Sequence, residues 1–162
     1  MEIHETHRYD HGVDRVFAQF VDPATVKAKQ EAAGSRHVEV QVSGEGDERL
    51  VLVTREVPAD VPAVLKTFLG AWNRVDIEEH WKKDGESWRG KQSIHVAKAP
   101  LKISCVFHLR PEGGGSVVEV KVTLRSHVPL VGKKLVALAA QSTRHAIAEE
   151  YRHVTSTLAT LG

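Results

Sequence analysis

The sequence has very little cysteine: Cys105 is the only one among 162 residues. A single cysteine excludes an internal disulfide and a zinc cluster built on several thiolates. The sequence also lacks a charged-then-apolar leader at its N-terminus and any apolar run long enough to span a bilayer. These absences predict a soluble, cytoplasmic protein with no integral membrane segment. The length of 162 residues predicts one domain over residues 1–162.

The sequence also has no excess of either positive or negative charge. The 22 Lys and Arg residues nearly balance the 21 Asp and Glu residues, so the formal net charge is +1. Nucleic acids and anionic membranes are usually bound through a strongly basic surface. The balance therefore argues against a nucleic-acid partner.

Histidine and carboxylate residues crowd the opening stretch, MEIHETHRYDHGVDRVF. His4 and His7 lie three residues apart, which on a β-strand places them on opposite faces. One metal ion needs its ligands to converge on a closed geometry, and a strand does not allow that here. We therefore predict a polar first strand, no metal site and no cofactor.

The order of elements is readable from hydrophobic periodicity. Glu2–Tyr9 has the pattern of an edge strand, the stretch from Val13 has helical spacing, and Asp22-Pro23 is typical of the start of a second helix. Six alternating stretches follow in meander order, joined by short turns such as EGGGS. The order predicts an α+β fold with a curved antiparallel sheet of seven strands.

The chain from Pro129 onwards is helical in character. Its apolar stripe runs at three- and four-residue spacing through Leu135, Leu138, Ile147, Tyr151, Val154, Leu158 and Leu161. A helix of about 30 residues is roughly 45 Å long. It either packs across the sheet, leaving a cavity between the two, or pairs with a second copy of the chain, which would make a homodimer.

This order of elements resembles the START-like, birch-pollen-allergen-like superfamily, also called helix-grip or SRPBCC proteins, over essentially the whole chain. Within it, VDRVFAQFVDPA, VPAVLKTFLG and VPLVGKKLVALAAQSTRHAIAEEY resemble an uncharacterised bacterial family that is known only as a domain of unknown function. The superfamily implies a hydrophobic cavity between the sheet and the last helix, used for lipids, sterols or polyketides. Some members are cyclases or dehydratases, and others carry ligands or bind partner proteins.

Strand parity predicts which side chains face that cavity. Glu79 shares its parity with Ile77 and Trp81, and Gln92 shares its parity with Ile94. In the last helix, Ser142 and His145 fall where the stripe would place apolar residues. The predicted ligand-binding residues are Val75, Ile77, Glu79, Trp81, Trp88, Gln92, Ile103, Cys105, Phe107, Leu138, Ser142 and His145.

Candidate catalytic groups are few. Cys105 lies in an apolar strand face, which is typical of a cysteine that acts as a small hydrophobic residue. A buried general acid or base has a pKa moved towards working pH, so Glu79 and His145 are the candidates if the protein is an enzyme.

The segment PADVPAVLKTFLG connects two strands. Its residues Leu65, Phe68 and Leu69 form either a gate at the cavity mouth or a plug that closes the open end of the sheet.

We therefore predict non-catalytic binding of a hydrophobic or amphipathic small molecule, such as a lipid, a fatty-acid derivative or a polyketide. The first alternative is a cyclase or dehydratase that uses Glu79 and His145. The second is a protein-interaction module whose core is filled.

Overall fold

Seven antiparallel strands form one sheet in the computed structural model, which describes residues 1–59, 61–63, 66 and 69–161. The strand order is β1-β7-β6-β5-β4-β3-β2, so the first two strands of the chain form the two edges. The predicted seven-stranded sheet is confirmed. Its strands are β1 (Glu2–Tyr9), β2 (Arg36–Ser43), β3 (Glu48–Pro58), β4 (Trp72–Asp84), β5 (Ser87–Val96), β6 (Lys102–Glu112) and β7 (Gly115–Arg125).

Two short helices connect the two edge strands. They are α1 (Val13–Val21) and α2 (Pro23–Ala32), and the predicted cap between them is present. The Asp22 carboxylate accepts a hydrogen bond from the backbone N–H of Thr25 at 2.9 Å, and Pro23 occupies the first helical turn. Asp at this position satisfies one of the free N–H groups of the helix start, and Pro costs no hydrogen bond there.

The period of two along each strand divides the sheet into an inner and an outer face. In β4 the residues Asn73, Val75, Ile77, Glu79 and Trp81 are all buried, whereas most of the residues between them are exposed. This alternation is typical of an antiparallel sheet that is covered on one side only. The predicted inward orientation of Glu79 and Trp81 is therefore confirmed.

The long helix α3 (Val131–Thr160) covers the inner face, as predicted. Its C-terminal half is held most firmly, because Val154 and Leu158 are buried and the Tyr151 hydroxyl donates to the Arg8 carbonyl at 2.9 Å. Leu161, which we predicted to be the last member of the apolar stripe, is exposed. The helix ends at Thr160, so this side chain has already left the packed face.

Aromatic rings fill the part of the sheet that lies under α1. Phe17 stacks on Trp88 with ring centroids 3.7 Å apart, and Phe20 and Phe107 both stack on Trp81. Gly90 pairs with Trp81 on one neighbouring strand and with Phe107 on the other. The missing side chain at Gly90 leaves the space that these two rings occupy.

Among the described residues, no helix is both long enough and apolar enough to cross a membrane.

Substituting Gly90 should destabilise the protein. A Cβ atom at this position would lie 2.9 Å from Trp81 Cε3 and 3.0 Å from Phe107 Cδ2, which is too close for carbon atoms. We expect Gly90→Ala to lower the free energy of unfolding by about 1–3 kcal/mol, as overpacking usually does. Urea denaturation would measure this. Gly114→Ala is the control, because a Cβ there meets open space; equal effects at both positions would contradict the argument.

Candidate functional site: a cavity between sheet and helix

A cavity of about 610 Å³ lies between the inner face of the sheet and α3. Cavities of roughly 300–1,000 Å³ are the usual size of small-molecule sites. Strands β3 to β7 contribute the floor, the first two-thirds of α3 contributes the roof, and α2 contributes one side. The size and the position both fit a site for a ligand rather than a packing defect, since defects in native cores are rarely larger than a water molecule.

The floor of the cavity is apolar because strand parity places aliphatic side chains on it. Ile77 pairs with Ile94, and Ile94 pairs with Ile103, so three isoleucines cross three adjacent strands in one row. Val75 pairs with Val96 in the next inward row. Cross-strand rows of β-branched residues make a continuous apolar surface.

The roof is open because this part of α3 carries small side chains. Ala139, Ser142, Thr143 and Ala146 line the cavity from this helix. Small residues cannot reach the floor of a curved sheet, so the space between them stays unfilled. The helix therefore leaves room between this part of its length and the sheet.

Most of the predicted ligand-binding residues line this cavity. They are Val75, Ile77, Gln92, Ile103, Cys105, Phe107, Leu138, Ser142 and His145. Ser142 and His145 are exposed at its edge and are not buried polar groups, which corrects that expectation. Their contact with a ligand stays a prediction.

The two tryptophans of the predicted site lie elsewhere. Trp88 is buried under α1, stacked on Phe17, and is not part of the cavity wall. Trp81 borders a separate hollow of about 30 Å³ beside the cavity, together with Glu79, Tyr9 and Tyr151. Parity placed both rings on the inner face correctly, but it does not reveal which helix covers them.

Glu79 forms a buried hydrogen-bond network. Its carboxylate accepts hydrogen bonds from the Trp81 indole N–H and, at 2.5 Å, from the Gln92 side-chain amide. The predicted pair of inward polar groups thus meets in space. Burial raises the pKa of Glu79 above its ordinary value, while the positive charge of Lys29 and the hydrogen bond from Trp81 act in the opposite direction.

Sequence analysis missed three charged groups in the cavity wall, Lys29, Arg55 and Glu150. Lys29 on α2 is almost fully buried, and its ammonium group donates to the Glu150 carboxylate on α3 at 2.7 Å. Arg55 on β3 lies in the wall as well. The parity of Arg55 with the buried Val51 and Val53 was a usable signal. No sequence signal marked Lys29, because α2 has no clear apolar face.

A family model described as a protein of unknown function (DUF2505) matches residues 4–158. The chain belongs to this family. No curated protein matches it.

Solved structures share the fold of this DUF2505 chain. A protein from Thermus thermophilus has a TM-score of 0.62 at 16% identity, covering 97% of this chain and 99% of the other. Ara h 8.0201 has a TM-score of 0.56 at 14% identity, covering 96% and 98%. Norcoclaurine synthase from Thalictrum flavum has a TM-score of 0.57 at 14% identity, covering 98% and 86%. These likenesses confirm the predicted helix-grip fold.

Cys105 lies in the cavity floor of this DUF2505 chain but is poorly suited to nucleophilic chemistry. Burial raises the pKa of its thiol to about 12, and the charges of Glu79 and Glu150 act in the same direction. A thiolate is the reactive form, so the thiol stays inert at neutral pH. Cys105 therefore fits the prediction of a small hydrophobic residue.

Two other predictions concern a metal site and a gate. The residues that the structure describes contain no group of three or more His, Cys, Asp or Glu placed to hold a metal ion. Leu69 of the predicted gate lines the cavity. Leu65 and Phe68 lie outside the described residues, so the gate stays a prediction.

The raised pKa of Glu79 predicts how stability depends on pH. Because folding favours the protonated carboxyl group, this contribution is complete below the unfolded-state pKa near 4.5 and is lost as the pH rises through the folded-state pKa. Glu79→Gln removes the ionisable group, so this loss of stability with rising pH disappears. We expect the difference in the free energy of unfolding, variant minus wild type, to increase as the pH rises.

Urea denaturation at steps between about pH 4 and pH 8 would measure this difference. Glu86→Gln is the control, because Glu86 is exposed in the turn between β4 and β5. A difference between Glu79→Gln and wild type that stays constant with pH would contradict the argument.

Proposed function

We propose that the chain binds a hydrophobic or amphipathic small molecule, such as a lipid, a fatty-acid derivative or a polyketide, in the cavity between the sheet and α3. The observation that carries this proposal is an apolar cavity of about 610 Å³ in a single-layer sheet fold. Burial of apolar surface is worth about 25 cal/mol per Å² before the entropic cost of binding. A ligand that buries about 300 Å² would gain roughly 7 kcal/mol from this term.

Non-catalytic binding is supported by the state of the polar groups near the cavity. The Glu79 carboxylate is already engaged by Trp81 and Gln92, and the Cys105 thiol is held protonated. Glu79 does not line the large cavity, and a general base has to lie within hydrogen-bond reach of the substrate proton. The protonated thiol of Cys105 is not its nucleophilic form.

A cyclase or dehydratase is the second candidate, and Glu79 favours it through its raised pKa. It would pair Glu79 with His145. Glu79 borders the small hollow and is not part of the wall of the large cavity, which His145 lines. A protein-interaction module with a filled core has less support, since the core of this chain is not filled.

Organic extraction of the purified protein, followed by mass spectrometry, tests the proposal without a prior guess about the ligand. We expect a co-purifying apolar compound, or uptake of the neutral dye Nile red with a rise in its fluorescence. A protein that carries no compound and takes up no Nile red would contradict the proposal.

Filling the cavity should abolish binding. Ala139 lies in the roof and lines the cavity, so Ala139→Trp would place an indole in the ligand space. We expect Nile red affinity to fall at least about tenfold, since a ligand loses the apolar contacts that the indole replaces. Ala137→Trp is the matched control on the same helix, because Ala137 is exposed and lies outside the cavity wall. Equal affinities of the two variants would count against this cavity as the site.

A further inference from the structure

Arg55 is an arginine surrounded by aliphatic residues. It lies on β3 between the inward positions Val53 and Val57, and it pairs across the sheet with Val75. Its side chain forms part of the cavity wall. An arginine at such a position is unusual, because burying a charged group is costly unless it is paired.

Only part of the hydrogen-bonding capacity of the Arg55 side chain is used. Its Nη1 donates to the Ser35 hydroxyl at 3.0 Å, which is a neutral acceptor. Its Nε–H is buried and has no hydrogen-bond partner among the described residues. The guanidinium group thus keeps at least one donor unpaired.

The charges around the cavity do not compensate Arg55. Burial lowers the pKa of Arg55 to about 10, which still leaves it protonated at neutral pH. The negative charge of Glu150 favours the charged form of Arg55, but the Glu150 carboxylate is bonded to Lys29 at 2.7 Å. The described cavity wall therefore holds two cations, Lys29 and Arg55, against one carboxylate.

A purely structural role for Arg55 is the competing explanation. In that case, Arg55 would only fix Ser35 and the turn that follows α2. A neutral donor would serve Ser35 equally well without the cost of a buried positive charge. That explanation leaves the positive charge of Arg55 without a counterion, whereas an anionic ligand would supply one.

We propose that Arg55 binds the carboxylate of an acidic amphipathic ligand whose apolar part lies along the cavity floor. This inference rests on the proposed function. A carboxylate carries one negative charge, which matches the single uncompensated positive charge of the wall, whereas a phosphate monoester carries nearly two. The guanidinium fork also binds a carboxylate through two parallel hydrogen bonds.

The test compares two probes that differ only in their headgroup, decanoic acid and 1-decanol, by isothermal titration calorimetry at about pH 8, where the acid is ionised. We expect wild type to bind the acid at least about tenfold more tightly than the alcohol, as a charge-assisted hydrogen bond allows. Arg55→Met should lose this preference and keep its affinity for the alcohol.

Two further variants make the test specific. Arg49→Met removes an arginine from the same strand at a position outside the cavity wall, and it should keep the wild-type preference. Arg55→Lys keeps the positive charge but loses the paired N–H donors of the guanidinium group. Its preference for decanoic acid over 1-decanol should therefore lie between those of wild type and Arg55→Met. It also serves as the second variant if Arg55→Met does not fold.

The outcomes separate the two proposals. If wild type binds both probes with equal affinity, or Arg55→Met keeps the preference, the role of Arg55 is overturned and the proposed function survives. If wild type binds neither probe and takes up no Nile red, both proposals fail.

Discussion

The long helix α3, with α1 at one end, covers the concave face of a seven-stranded sheet and cannot fill all of the space beneath it. The C-terminal half of α3 packs closely against the rest of the protein, and Val154 and Leu158 are fully buried there. The part of α3 over the cavity does not, because side chains such as Ala139 and Ala146 are too short to reach the floor. The aromatic cluster under α1 fills the neighbouring end of the sheet. The cavity is therefore a consequence of the architecture, and residue size decides where it lies.

The ionisable groups Glu79 and Lys29 follow one rule, that each is matched by a partner of suitable chemistry. Glu79 accepts from two donors, and Lys29 is paired with Glu150. A buried unpaired polar group costs about 1–3 kcal/mol, and a buried charge costs more. Arg55 departs from the rule, since its described partner is a neutral hydroxyl. Departures of this kind concentrate at functional sites, where a ligand supplies the missing partner.

The sequence predicted the fold and most of the cavity floor, because both depend on local periodicity. Alternation placed Ile77, Ile103 and Cys105 on the inner face, and each lines the cavity. Parity says which face a side chain takes but not which helix covers it, so Trp88 was assigned to the cavity although α1 packs over it. The pairing of Lys29 with Glu150 joins residues 121 positions apart, which no local pattern reveals.

The large cavity and the small hollow beside Glu79 share part of their lining, including Phe107 and Glu150. The small hollow, at about 30 Å³, has room for about one water molecule. Glu79 does not line the large cavity, whereas Gln92, which donates a hydrogen bond to Glu79, does. A substrate in the large cavity would therefore meet Gln92 before Glu79. To act on a substrate, Glu79 would have to exchange its hydrogen bond with Gln92, which favours a protein that holds its ligand over one that transforms it at Glu79.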